Sequence, residues 1–160
     1  MPVYNHFYLI SRPTTSSQTS PFHAGPMLRF GPLLPVNIQL PTALATYLSQ
    51  NGKTVPAPVS GQALIDTGAS ISAVDASVIQ SLGVQPVGVV KVNTPSGSAN
   101  QNQYPVQFVF PGTNLPSLEG THAIGSVLKS QGILALIGRD VLSRFVLVYN
   151  GPGGFITLAF

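Results

Sequence analysis

The sequence predicts an all-β domain with one or two short helices, and three observations predict it. Sixteen glycines and fifteen prolines punctuate 160 residues, the density expected of short strands joined by turns. Hydrophobic residues make up 44% of the chain, so it can build a core. Only 7% of residues are charged, far below the usual quarter, so the surface has to be polar but mostly neutral.

Taken in order, the elements support that class. Residues 11–26, "SRPTTSSQTSPFHAGP", are rich in Ser, Thr and Pro without aliphatic periodicity and read as an extended linker. Residues 1–30 are therefore expected to form a flexible arm, and residues 31–160 the folded domain. In "MLRFGPLLPVNIQLP" one or two strands are expected, with Val36, Ile38 and Leu40 alternating as in a half-buried strand. "SQNGKTVPAPVS" is a loop around the turn pair Asn51-Gly52. "GQALIDTGAS" reads as a buried strand entering a tight turn, and "SAVDASVIQSLGV" as a short helix capped by Ser72 or Asp75 and stopped by Gly83. Two alternating runs, "PVGVVKVNT" and "NQYPVQFVFP", flank "PSGSANQ", a hairpin with a flexible tip. Finally "GILALIGRDVLSRFVLVYN" reads as strand, Gly turn, helical turn and strand. "GPGG" then turns the chain into "FITLAF", an apolar strand that needs a partner and invites one from another chain.

Composition excludes several functions. The net charge of +3 rests on seven scattered Lys and Arg, so no nucleic-acid-binding patch is expected. No cysteine is present, which rules out disulfides, thiolate catalysis and Cys-ligated zinc, and leaves the cellular compartment open. His6, His23 and His122 lack metal-ligand spacing, so neither metal nor cofactor is expected. There is no Gly-x-Ser-x-Gly elbow for a serine nucleophile. The N-terminus "MPVYNHFYLISRP" is a poor signal peptide, and no run of 18 apolar residues predicts membrane insertion. A larger or membrane-anchored parent protein stays open.

What remains is Asp66, one of only four acidic residues, set directly after Ala63-Leu64-Ile65. An isolated ionised carboxylate cannot stay in an apolar interior. Thr67-Gly68 supplies the exit, and Ala69-Ser70 stay small enough for another backbone to pass. About 70 residues later comes a second element, "ILALIGRDVL", with a hydrophobic pair followed by Gly138, Arg139 and Asp140.

"LIDTGAS", a hairpin with the tip "TPSGSAN", and "LIGRDVL", in that order, resemble the retropepsin-type aspartic proteases, the family of retroviral proteases and their relatives. The resemblance covers roughly residues 34–160. It implies a closed β fold with a flap hairpin, and an endopeptidase acting on extended peptides with Asp66 as the catalytic carboxylate. Only one Asp-Thr-Gly exists, so a homodimer is implied, with the two Asp66 carboxylates facing each other across a twofold axis. Thr67, Gly68 and Ala69 would scaffold the site. Ser70, Ala73, Leu136 and the flap residues Ser96 and Gly97 would meet a peptide or protein substrate. Gly138, Arg139 and Asp140 would be structural, and "FITLAF" would pair in the dimer interface.

Two departures from the family pattern matter. Ser70 stands where many members carry a second Asp that pairs with the Arg of the second motif, so Arg139 needs another partner. Ala69 removes a hydroxyl donor, which implies work at mildly rather than strongly acidic pH. The rival reading is a retropepsin-fold module that dimerises or binds peptides without cleaving them.

Overall fold

The computed structural model describes residues 1–7, 24–94 and 97–160. Among these residues ten strands carry the fold. They are β1 (Val3–Phe7), β2 (Leu33–Gln39), β3 (Val59–Ile65), β4 (Ala73–Asp75), β5 (Gly88–Thr94), β6 (Gly97–Val109), β7 (Leu118–Ser126), β8 (Ala135–Ile137), β9 (Val146–Asn150) and β10 (Phe155–Ala159). Four short helices join them: α1 (Ala24–Phe30), α2 (Thr42–Gln50), α3 (Ala76–Leu82) and α4 (Arg139–Leu142), with a 3-10 turn at Lys129–Gln131. The all-β expectation holds, but helices are more numerous than expected. The stretch "MLRFGPLLPVNIQLP", expected to hold one or two strands, holds one, β2, and its first residues belong to α1, with Met27 buried while Leu28, Arg29 and Phe30 stay exposed.

The larger sheet runs β2-β3-β8-β4-β7-β6-β5, and β2 also pairs with β6. That extra pairing, Asn37↔Val109 to Gln39↔Gln107, closes six strands into a ring and removes their free edges. Strand β6 is 13 residues long because it serves three neighbours. Its last part pairs with β2 and its middle with β7. Its first part pairs with β5 in a hairpin that runs to Thr94↔Gly97.

Alternation explains what the ring encloses. In β2, Leu34, Val36 and Ile38 are buried and the residues between them are half-buried, as a strand facing one core requires. Ala63, Ile65, Val74, Ala135, Ile137, Val106 and Phe108 join them in the main core. Residues of opposite parity make a second, smaller cluster, in which Ala73, Leu128 and Ile133 are buried against Leu33, Leu64, Ile124 and Leu136. α3 forms where expected: Asp75 accepts from the Ser77 N–H as N-cap, and Gly83 ends the helix at φ 64°.

The termini meet in a second sheet, β1-β10-β9. Strand β10 is its centre, with β1 on one edge and β9 on the other. This corrects two expectations. "FITLAF" is not left without a partner, since both its edges are filled within the chain, with Ile156 and Leu158 buried; an intermolecular strand would have to meet β1 or β9. Nor are both ends of the N-terminal segment a free arm, because residues 3–7 are sheet and 24–30 helix. Residues 8–23, most of the expected linker, lie outside the described residues.

Candidate active site

The two sequence motifs meet because β3 and β8 are parallel neighbours, with Ala63↔Ala135, Leu64↔Leu136 and Ile65↔Ile137 in register. Both strands end together, and the chain leaves each as a tight loop. The loops are sewn to each other: the Asp66 N–H donates to the Ile137 carbonyl at 3.0 Å, and the Arg139 N–H donates to the Ala69 carbonyl at 2.9 Å.

Within its own loop the half-buried Asp66 is oriented by backbone donors. Its Oδ1 accepts from the N–H of Gly68 at 2.8 Å and of Ala69 at 3.2 Å. One carboxylate oxygen is thereby held in place by two backbone donors of its own turn. Thr67 and Gly68 are exposed at the crest of the turn, where a second protein surface could reach them.

The second motif supports the first from beneath. Arg139 Nη1 donates to the carbonyls of Thr67 at 2.7 Å and Gly68 at 3.0 Å. Arg139 therefore grips the Asp66 turn itself, and this is the partner that the absent second Asp left open. Asp140 holds Ser72: its Oδ2 accepts from the Ser72 N–H at 3.0 Å and its Oδ1 from the Ser72 hydroxyl at 2.8 Å. Ser72 Oγ in turn accepts from the Gly138 N–H at 2.9 Å. Gly138 is needed for close approach, since a Cβ there would lie 2.7 Å from the Ile71 carbonyl carbon and 2.9 Å from the Ser72 nitrogen.

Of the other expected site residues, Ala73 and Leu136 are direct register partners and both belong to the smaller apolar cluster. Ser70 is exposed beside the loop. Gly97 lies at the end of the β5–β6 hairpin, opposite Thr94. Ser96 lies outside the described residues. Sequence reasoning missed the part played by Ser72, whose hydroxyl links both motifs while fully buried. Asp75 also does more than cap a helix, because its Oδ2 accepts from the N–H groups of Leu128 and Lys129.

The comparison that decides the family covers both loops. A family model described as aspartyl protease matches residues 47–141, a span that runs from α2 through the Asp66 turn and the hairpin to Gly138-Arg139-Asp140. The chain belongs to the aspartyl protease family. Its fold is similar to a crystal structure of a retropepsin-like aspartic protease from Rickettsia conorii, at 17% identity over 78% of this chain and 79% of that one, with a TM-score of 0.44. It is also similar to the solution structure of Simian Foamy Virus (mac) protease, at 16% identity over 68% of this chain and 91% of that one, with a TM-score of 0.40. No curated protein sequence matches the chain.

An aspartyl protease needs a second carboxylate beside the first, and the remaining acids of this family member are engaged elsewhere. Asp75 is buried against Ser77, Leu128 and Lys129. Glu119 accepts from Thr42 and Gln107. Asp140 holds Ser72.

Proposed function

We propose that the protein is an aspartic endopeptidase that works as a homodimer, each copy supplying one Asp66. The observation that carries this reading is the occupation of Asp75, Glu119 and Asp140 in contacts away from the Asp66 turn. A dyad therefore takes its second carboxylate from a second chain.

Two carboxylates that face each other closely across a twofold axis share one proton, because like charges there do not both ionise easily. The ionised member takes a proton from a water as that water attacks the peptide carbonyl carbon, and the protonated member gives its proton to the carbonyl oxygen. The tetrahedral species then breaks its C–N bond, with a proton delivered to the leaving amine. Oδ1 of Asp66, held by Gly68 and Ala69 N–H, keeps the reactive geometry fixed through both steps. The β5–β6 hairpin closes over an extended peptide, and Gly97 near its end contacts the peptide backbone. Ser70 meets the peptide at the loop, while Ala73 and Leu136 wall a pocket for an apolar side chain.

Incubation with a diverse peptide library at pH 4–6 tests the chemistry: wild-type protein cleaves, and Asp66→Asn does not. Mixing tests the dimer. Adding an equal amount of Asp66→Asn to wild type leaves about a quarter of all randomly paired dimers with two reactive carboxylates, so activity per wild-type chain falls to about half. Binding without Asp66-dependent cleavage would instead favour a peptide-binding module.

A further inference from the structure

Asp75 is a buried acid that the proposed chemistry does not use, only 4% exposed, and it accepts four hydrogen bonds. Its Oδ1 takes the N–H of Ser77 at 2.9 Å and the Ser77 hydroxyl at 2.6 Å. Its Oδ2 takes the N–H of Leu128 at 2.8 Å and of Lys129 at 2.7 Å. The first pair caps α3. The second pair reaches across to a different part of the chain, and capping does not require it.

Topology explains that reach. Strands β4 and β7 are parallel and end side by side, with Asp75 opposite Ser126. Beyond Ser126 the chain bends out of the sheet, and the N–H groups of Leu128 and Lys129 lose any strand partner. The carboxylate takes both. Donation by the Ser77 hydroxyl, together with the backbone N–H groups of Leu128, Lys129 and Ser77, outweighs burial and holds the Asp75 carboxyl well below the usual carboxylate range. The contact therefore survives at the acidic pH used by an aspartic dyad.

The turn held this way has two apolar side chains pointing to opposite environments. Leu128 is 2% exposed and packs with Ala73, Ile133 and Leu136. Val127, next to it, is 75% exposed. Leu64 and Leu136 of the same cluster lie two residues before Asp66 and Gly138 respectively, so the cluster adjoins the catalytic turn.

We propose that Asp75 is a positioning residue for substrate recognition: it fixes the turn after β7 so that Leu128 completes the wall begun by Ala73 and Leu136, and Val127 stands out as a contact for an apolar substrate side chain. This rests on the protease reading above. Asp75 itself touches no substrate and sets where the wall lies.

The test compares three variants on one peptide that the wild type cleaves. Asp75→Ser keeps a good N-cap for α3 but is too short to reach Leu128 and Lys129. It should raise KM by about fivefold or more, broaden the side chains accepted beside the scissile bond, and leave kcat within about twofold. Amide exchange at Leu128 and Lys129 should quicken in parallel. Ser77→Ala, which removes only the hydroxyl on the helix side, should leave KM unchanged. Val127→Ser changes an exposed position, so it folds normally and should raise KM alone. The proposal is overturned if folded Asp75→Ser keeps wild-type KM and preference, or if it loses kcat with KM intact. Should Asp75→Ser fail to fold, an unchanged KM in Val127→Ser overturns it. Absence of Asp66-dependent cleavage by the wild type sinks the protease reading itself, a different and separately visible result.

Discussion

Ser72 shows how much one small hydroxyl can organise. It is fully buried and stands between the two loops, donating to Asp140 and accepting from the Gly138 N–H. Replacing it with Ala leaves the Gly138 N–H and one Asp140 oxygen without this partner, so Ser72→Ala should cost about 1–3 kcal/mol. In a chain of this size that is a fall in Tm of roughly 3–10 °C. The backbone N–H of Ser72 still reaches Asp140 Oδ2, so the fold should survive. Activity should fall more than stability does at 25 °C, because Gly138 and Arg139 position the Asp66 turn. Thermal melts together with kcat of the same preparation check this, and a destabilised variant with full kcat would contradict it.

At the scale of elements, strands were legible wherever alternation or a continuous apolar run marked them. β2 and β8 to β10 follow directly from such runs, and α3 from Asp75 and Gly83. The turn at Asp66 and its partner at Gly138 were legible because a carboxylate after "ALI" and a glycine after "ILALI" both mark the point where an apolar strand ends in a turn. α1 was not legible, since "AGPMLRF" buries little beyond Met27 and carries both Gly and Pro. α2 was missed for another reason: none of its residues is fully buried, so periodicity is faint, and its N-terminus is capped from far away in sequence. Pro41 gives no side-chain cap. Instead the Thr42 N–H and hydroxyl donate to Glu119 of β7, and Glu119 also accepts from Gln107, which is joined to Gln39. A remote carboxylate thus does the work of a local cap. Glu119→Ala should therefore lower stability by about 1 kcal/mol, with amide exchange accelerating in the first turn of α2 and not in α3. Uniform acceleration across both helices would show that Glu119 acts on the whole fold rather than on this helix end.

At the scale of the molecule, closure of the six-stranded ring leaves strand edges available at β5, which among the described residues pairs only with β6, and in the sheet of the two termini. Strand β1 covers one edge of β10, and its core-facing side carries Tyr4 and His6, the Tyr4 hydroxyl lying 2.9 Å from His6 Nδ1. Burial raises the Tyr4 pKa and lowers that of His6, so both groups prefer to be neutral where they sit. The sign for His6 follows. In the undocked chain the imidazole binds a proton near its ordinary pKa of 6.5, but with β1 in place it binds one only at lower pH. Docking is therefore at full strength above pH 6.5 and weakens as pH falls from there through the lowered value. Acidification, which the proposed dyad needs, loosens the strand that shields β10 from a second chain. Amide exchange of residues 3–7, corrected for intrinsic rates, should show less protection at pH 5 than at pH 7.5 in the wild type. His6→Gln should flatten that dependence. Deleting residues 1–7 should uncover the β10 edge at any pH and raise self-association at neutral pH, measured by sedimentation velocity across a concentration series. Equal β1 protection at both pH values would remove His6 as the cause, and a deletion variant with unchanged self-association would show that β1 does not guard this edge.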